Sequence, residues 1–410
     1  MHILLIHQAF AALDEPGGTR HHEFARAIAA QGHRVTVITS PVSYLTGSTL
    51  TGNPGNRTRE WDDGVKVLRA WTFGTLHKSF VQRVFAFLSF MAGSFFIGLG
   101  VRNVDLVWGT SPPIFQGLTA WLLARLKRVP FLFEVRDLWP TFAIAVGVLK
   151  NPALIKLSTW LEGFLYRHAD RVMVNSPGFE THVKERGARL VELVPNSADP
   201  GMFDPANNGL LFRSANHLED QFVVLYAGAH GLSNDLGVVV EAARLLQEEM
   251  EPARITVVFL GDGKEKPALQ KRAAELKLTN LLFLPPVPKT GMADALAGAD
   301  ACLAILKPIE AYKTTYPNKV FDYMAAGRPV ILAIDGSIRQ VVEAAQCGIF
   351  SRPGKPSEIV QAIRRLSSDN QVARAMGLRG RKYLEEHFNR NITSRKLMEI
   401  LINMHTMEKQ

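Results

Sequence analysis

Cysteine is nearly missing from this 410-residue chain, which holds only Cys302 and Cys347, far apart and each in an apolar run. That excludes a disulfide scaffold and a cysteine-rich zinc or iron–sulfur centre, and it suits a reducing compartment. Both thiols read as buried and inert. No Asp-x-Asp occurs, and the adjacent His21 and His22 lack a carboxylate motif at metal-ligand spacing, so an essential divalent metal is not expected. The fingerprint G-x-G-x-x-G is missing after the first apolar run, which argues against a dehydrogenase. No cluster of Arg and Lys interleaves with aromatics, so nucleic acid is not an expected partner. A secretory signal is lacking too. Residues 1–39 read at once as a fold element, and the protein is expected on the cytoplasmic side.

What is present is enough to fold. Apolar residues make up 47% and charged residues 21% of the chain, which excludes a disordered protein, and the length argues for two or three domains. The net charge of +9, concentrated in the first half, favours anionic partners such as nucleotide phosphates or lipid head groups.

Residues 2–6 form a short continuous apolar strand. Gly17-Gly18 precede Thr19, an N-cap for a helix reaching Gln31, and residues 34–39 make the next strand. Further strands are expected at 65–70, 105–110, 130–135 and 171–175, with a helix through 121–127. This is a doubly wound α/β pattern with parallel strands. The turn-rich stretch 196–205 reads as a hinge linker. Strands then restart at 222–228, 255–261, 281–284, 300–306 and 329–334, and the chain's end is helical. The expected organisation is a Rossmann-like lobe over 1–195, the linker, a second such lobe over 206–390, and a C-terminal helix over 391–410. Ligands of open α/β sheets bind beyond the carboxyl strand ends, so a cleft between the two sheets is the expected site.

The richest segment is 312–331, YKTTYPNKVFDYMAAGRPVI. Pro317 should open a helix that Ala325-Ala326-Gly327 ends. Free N–H groups and the dipole at a helix start favour a phosphate, and Lys319 adds a full charge. Asp322, three residues on and on the same face, is placed to accept from paired ribose hydroxyls; a surface Lys–Asp pair on an ordinary helix remains the alternative. Glu134-Val135-Arg136-Asp137 ends a buried strand with three charges in four residues, so these groups should pair together or face the site.

This string resembles the nucleotide-binding helix of family 4 glycosyltransferases, retaining enzymes of the two-lobed GT-B fold. Asp322-Tyr323-Met324-Ala325-Ala326-Gly327-Arg328-Pro329-Val330 stands where that family has Glu-Ala-x-Ala-x-Gly-x-Pro-Val. The resemblance also takes in Gly17-Gly18, the stretch from Pro195 and Asn196 through Asp199 and Phe203 to Pro205, Gly228, and Gly261-Asp262-Gly263. Through Gly18-Thr19-Arg20-His21 and Arg136-Asp137-Leu138-Trp139-Pro140 it is similar to O-antigen and capsule enzymes of the N-acetylfucosamine transferase type. It implies a UDP-sugar donor held by Gly17, Gly18, Lys264, Val287, Thr314, Thr315, Asn318, Lys319 and Asp322. It implies Asp137 and His21 beside Lys319 as catalytic groups, with Asp137 positioning the acceptor. Two departures stand out. The first glutamate of the family's pair falls on Thr314, which is compatible with a deoxy sugar, and the usual diphosphate-binding Arg and Lys fall on Ala229 and Asn234. That leaves Lys319, Lys264 and His230 to neutralise the leaving group. No cofactor is implied.

Residues 84–101 carry no charge and lie between Arg83 and Arg102. That length sits at the threshold for a membrane span, but the segment holds three glycines and lies between elements of the first lobe, so a buried or an interfacial helix is expected over a span. With Arg83, Arg102 and Arg136 the basic surround favours a polyprenyl-diphosphate-linked acceptor and an anionic inner-membrane surface. The expected function is therefore transfer of a sugar, such as an N-acetylated deoxyhexose, from a UDP-sugar to a lipid-linked saccharide, peripheral on the cytoplasmic face of the inner membrane. A nucleotide-sugar epimerase of the same fold and a non-catalytic nucleotide- or head-group-binding protein are the alternatives.

Overall fold

A computed structural model describes residues 1–15, 17–42, 58–60, 64–73, 80–204, 206–249 and 254–407. The chain divides into two compact units, Met1–Pro195 with Asn391–Gln410, and Asn196–Arg390.

The first unit is built on strands β1 (His2–Ile6), β2 (Arg34–Thr39), β3 (Thr58–Glu60), β4 (Val65–Arg69), β5 (Leu106–Ser111), β6 (Phe131–Val135), β7 (Arg171–Val174) and β8 (Val191–Leu193). They lie in the order β3-β4-β2-β1-β5-β6-β7-β8, and within this order only β3 runs antiparallel to its neighbour. All five residues of β1 are buried, as a continuous apolar run requires in a strand covered on both faces. Between the strands run α1 (Arg20–Ala29), α2 (Phe80–Gly100), α3 (Phe115–Lys127), α4 (Thr141–Ala145), α5 (Pro152–His168) and α6 (Glu180–Glu185). On one sheet face, Phe90, Leu123 and Leu165 from α2, α3 and α5 share a core with Phe133. On the other, Phe24 and Ile28 of α1 share a core with Leu5, Trp108 and, from the last described helix, Leu397 and Leu401.

Among the described residues no helix is long and apolar enough to cross a membrane. The charge-free segment 84–101 lies within α2 and the residue after it. Its apolarity has a packing cause on one side of α2. Ala86, Phe90, Ser94 and Gly98 recur every four residues and are buried. Gly98 is needed for the close approach, since a Cβ there would stand 2.5 Å from Leu123 Cδ1. The opposite side of α2 keeps Phe85, Leu88, Phe96 and Leu99 exposed.

The second unit carries β9 (Phe222–Ala227), β10 (Ile255–Leu260), β11 (Leu281–Leu284), β12 (Ala301–Ile305), β13 (Val330–Ala333) and β14 (Gly348–Phe350), all parallel in the order β11-β10-β9-β12-β13-β14. Its helices are α7 (Leu210–Ala215), α8 (Leu236–Gln247), α9 (Lys266–Glu275), α10 (Lys289–Ala297), α11 (Asn318–Ala325), α12 (Ser337–Ala344), α13 (Pro356–Ser368) and α14 (Asn370–His387); α15 (Arg390–Met407) follows and packs in the first unit's core. α8 and α13 cover one sheet face, α11 and α12 the other. Both cysteines lie in these cores with no exposed surface, and burial pushes the Cys347 thiol up to about 12. The stretch after residue 195 is firmly tied: Asn196 Nδ2 donates to Tyr316 O at 2.6 Å, and Arg390 holds Ser197 Oγ at 2.7 Å. Pro205 lies outside the described residues.

Candidate functional site

In the second unit, the loops after β9 and β10 and the start of α11 gather the polar groups. α11 begins at Asn318, with Pro317 as its N-cap, and stops before Gly327, whose φ of +64° only glycine adopts readily. Lys319 lies one residue inside. The stem is half-buried, but Nζ has no accessible surface and no hydrogen-bond partner. It sits 3.7 Å from the centroid of the Tyr226 ring and against Gly228, where a Cβ would stand 3.0 Å from Nζ. Tyr226 is turned by its hydroxyl, which donates to Ala229 O at 2.7 Å. Burial alone pulls the Lys319 ammonium down to about 7. A cation over an aromatic face is partly compensated, yet it still lacks an anion.

Asp322 is not paired with Lys319. Its Oδ1 takes Lys289 Nζ at 2.5 Å, and Oδ2 lies 3.4 Å from Asn318 Nδ2. Lys289 is the first residue of α10, so the carboxylate is fixed by a neighbouring helix that the spacing within α11 did not reveal. The Asn318 Oδ1 is buried without a partner.

His230, after β9, has no exposed surface, and neither ring nitrogen has a partner. Burial, then Lys266 and Lys319, pull it down to about 4, so it is neutral at pH 7. The loops meet so closely that a Cβ on Gly261 would stand 2.0 Å from Gly228 O, and one on Gly263 2.5 Å from His230 O. Asp262 serves the turn, with Oδ1 accepting from Gly263 N at 2.8 Å. Lys264, expected at the diphosphate, is exposed. Lys266 is the inward lysine, bonded to Gly261 O at 2.8 Å and Leu284 O at 3.0 Å. Thr314 and Thr315 donate their hydroxyls to Ala311 O and Tyr312 O at 2.7 and 2.8 Å. Val287 is half-buried and would pack on a side chain at Gly291.

In the first unit the polar groups gather beyond β1 and β6. Gly17 lies at φ +156°, and a Cβ there would come 2.8 Å from Ala11 Cβ; beside Gly18 there is open space. Thr19 stands at the N-cap of α1, but its hydroxyl donates to Glu23 Oε1 at 2.6 Å instead of capping. Glu134 has no exposed surface. It accepts from Arg20 Nε at 3.0 Å and meets His21 Nε2 at 2.5 Å, while Arg20 also holds Pro195 O and Val194 O at 2.8 and 2.7 Å. Burial would raise the Glu134 carboxyl, but His21 and Arg20 hold it well below the usual range. Burial lowers His21 to about 4 against the pull of Glu134. The pair at neutral pH is thus a carboxylate and a neutral imidazole donating Nε2–H, which leaves Nδ1 as an acceptor. That Nδ1 has no partner, and the ring stacks on His7, 4.2 Å away, whose two nitrogens are also unpartnered.

The sequence grouped Glu134, Arg136 and Asp137 without assigning their partners. Arg136 donates to Thr110 Oγ1 at 2.9 Å and Pro112 O at 3.0 Å. Asp137 is exposed; desolvation by surrounding protein raises its carboxyl toward about 6, against Arg136, and its access to water limits that shift. Arg102 is exposed, and the Arg83 side chain lies outside the described residues. Among the described residues no group of three or more His, Cys, Asp or Glu is placed to hold a metal ion. Missed by sequence reasoning were His7, Lys289 and Tyr226. Each is an ordinary residue in an ordinary run, and only its spatial neighbours mark it.

Comparison with known proteins bears on the family and the fold. Residues 17–197 match the Glycosyl transferase 4-like domain and residues 221–369 the Glycosyl transferases group 1 domain. The chain is 25% identical to WcaI of Escherichia coli, named for colanic acid biosynthesis glycosyl transfer, over 86% of this chain and 89% of that protein. Among solved structures, sucrose-phosphate synthase from Thermosynechococcus elongatus superposes with a TM-score of 0.80 at 18% identity, covering 99% of each chain. HepE of Anabaena, solved in complex with UDP and glucose, gives 0.73 at 16% identity, covering 97% of this chain and 98% of that one. The chain therefore belongs to the family 4 type of glycosyltransferases and has the GT-B fold, with two Rossmann-like lobes.

Proposed function

We propose that this glycosyltransferase moves a sugar from a UDP-sugar to a lipid-linked saccharide in surface polysaccharide synthesis, with retention of configuration and without a metal. The single observation that carries the donor half is the sealed, anion-less ammonium of Lys319 against Gly228. A diphosphate there would supply the missing counter-charge, add the N–H groups of the α11 start, and gain its stabilisation as the leaving group forms. Neutral His230 beside it can donate one ring hydrogen to the same phosphates. Asp322, held by Lys289, takes the ribose hydroxyls. Thr314, in place of a glutamate, leaves a weaker grip on the sugar, which suits an N-acetylated deoxyhexose. HepE, solved with UDP and glucose, and WcaI, named for colanic acid biosynthesis, support the donor class and the pathway class.

In the first unit Asp137 and Arg136 are the proposed acceptor-positioning groups. His21, with Nε2–H given to Glu134, offers the Nδ1 lone pair to an acceptor hydroxyl. A departing phosphate oxygen can take the acceptor proton, so no stronger base is required. The basic excess of the first half suits a polyprenyl-diphosphate-linked acceptor on an anionic inner-membrane face.

Purified protein incubated with a panel of UDP-sugars tests the reading. Radiolabel passing into lipid only when membrane extract is present supports it. Epimerised donor without extract, or calorimetric UDP binding with no product under either condition, overturns it in favour of an epimerase or a binding protein.

A further inference from the structure

The outer helices of the first unit carry an apolar surface that the proposed transfer chemistry does not use. α2, α3 and α5 lie on one face of the sheet and share one core. Surface helices ordinarily turn a polar side to water; these also turn large apolar residues to it. Phe96 on α2 is 70% exposed, Leu126 on α3 57%, and Leu157 and Trp160 on α5 58% and 56%. Leu122 joins Leu126 four residues on, and Leu154, Leu157 and Trp160 recur every three, so each set occupies one helix face. The faces are joined. Trp160 stacks on Phe164 at 5.4 Å, Phe164 meets Trp121 of α3 edge-on at 4.8 Å, and Lys127 at the end of α3 donates to Val101 O, just past α2, at 2.6 Å.

The exposed charge around this surface is predominantly positive. Between residues 80 and 169 the acids are Asp105, Glu134, Asp137 and Glu162. Glu134 and Glu162 have no exposed surface, and Glu162 is held by His182 and Arg186 at 2.7 Å each. Asp105 is half-buried on the His2 amide, leaving Asp137 alone exposed. Arg102, Arg125, Arg128, Lys156 and Arg167 are all exposed. Leucines and an indole framed mainly by cations, with Asp137 and, just past this stretch, Asp170 the exposed acids, match the boundary of an anionic bilayer, where apolar groups enter below the head groups and cations meet the phosphates. A second copy of the chain would set like charge against like.

We infer that the α2–α3–α5 face docks on an anionic lipid bilayer through Leu122, Leu126, Leu157 and Trp160. This deepens the lipid-linked reading above by naming the face that meets the membrane. Flotation with vesicles of phosphatidylcholine, alone or mixed with phosphatidylglycerol, tests it without donor or acceptor, so its failure is distinct from a failure of transfer. Full-length protein should float with the anionic vesicles and be released by high salt. Leu157→Ser with Trp160→Ser, whose exposed sites leave the fold intact by circular dichroism, should float at least about tenfold less. Lys156→Glu with Arg125→Glu should lose the preference for anionic lipid while the apolar face stays whole. Equal flotation of these variants and the parent, no flotation of the parent, or a concentration-dependent dimer in sedimentation that the serine variant abolishes would each overturn the inference.

Discussion

Lys289 and Asp322, 33 residues apart, close an ion pair of 2.5 Å whose side chains are only 8% and 14% exposed. The lysine fixes which way the carboxylate faces. If Asp322 grips the ribose, Lys289 is a positioning residue for that grip. Lys289→Met should weaken UDP binding by about tenfold, which is about 1.4 kcal/mol, and cost about 3 kcal/mol of stability by removing the cation that meets a largely enclosed carboxylate. The decisive readout is the preference for UDP over its 2′-deoxy analogue by calorimetry. It should shrink in Lys289→Met and in Asp322→Ala alike, and recover in Lys289→Arg. A preference retained in Lys289→Met but lost in Asp322→Ala would leave the lysine a purely structural role.

The lowered Lys319 makes donor binding pH-dependent with a definite sign. In the free protein the ammonium gives up its proton near pH 7, whereas a bound diphosphate favours the charged form. Binding therefore takes up a proton above pH 7, and UDP affinity should fall as pH rises from 7 to 9, approaching about tenfold per unit. Stability of the free protein moves the other way. The unfolded lysine stays protonated to its ordinary value of 10.5, so stability rises with pH between about 7 and that value. Calorimetry in buffers of different ionisation enthalpy reads the proton directly. Lys319→Met should abolish the uptake and weaken UDP binding at least tenfold.

Strand positions and lobe architecture were legible because buried parallel strands are continuous apolar runs bounded by turn residues, as in β1, β9 and β12. The bounds of α11 were legible because Pro317 and Gly327 act locally. What stayed hidden depends on distant partners. Nothing near Asp322 points to Lys289, and Glu134 showed its charge but not that Arg20 and His21 would meet it. The charge-free run at 84–101 was ambiguous by nature, since apolar composition is the same whether a helix faces a core, a bilayer or both; α2 buries one side and exposes the other.

Glu134→Gln should expose how much the first unit leans on one carboxylate. Glutamine keeps one acceptor but cannot neutralise Arg20, so a loss of about 3 kcal/mol is expected, with reduced transfer and intact UDP binding. The acid limb tests the assignment. His21 has a folded value near 4 against 6.5, so protons favour the unfolded chain as pH falls through that interval. Glu134, held below its ordinary range, adds a loss only below about pH 4. Melting temperature against pH should show both falls in the parent and lack the lower one in Glu134→Gln.

Gly261 and Gly18 differ in what they can tolerate, and that difference reports the loop packing behind Lys319. Gly261 lies at φ +147°, where a Cβ would strike Gly228 O at 2.0 Å; at Gly18 a Cβ meets nothing within 4 Å. Gly261→Ala must therefore push the β10 loop away from the β9 loop that carries Gly228. It should cost at least about 2 kcal/mol by chemical denaturation and weaken UDP binding as the Lys319 seat opens. Gly18→Ala should stay within about 0.5 kcal/mol of the parent. Equal stability of the two variants would mean that the loops are not packed as closely as these contacts require.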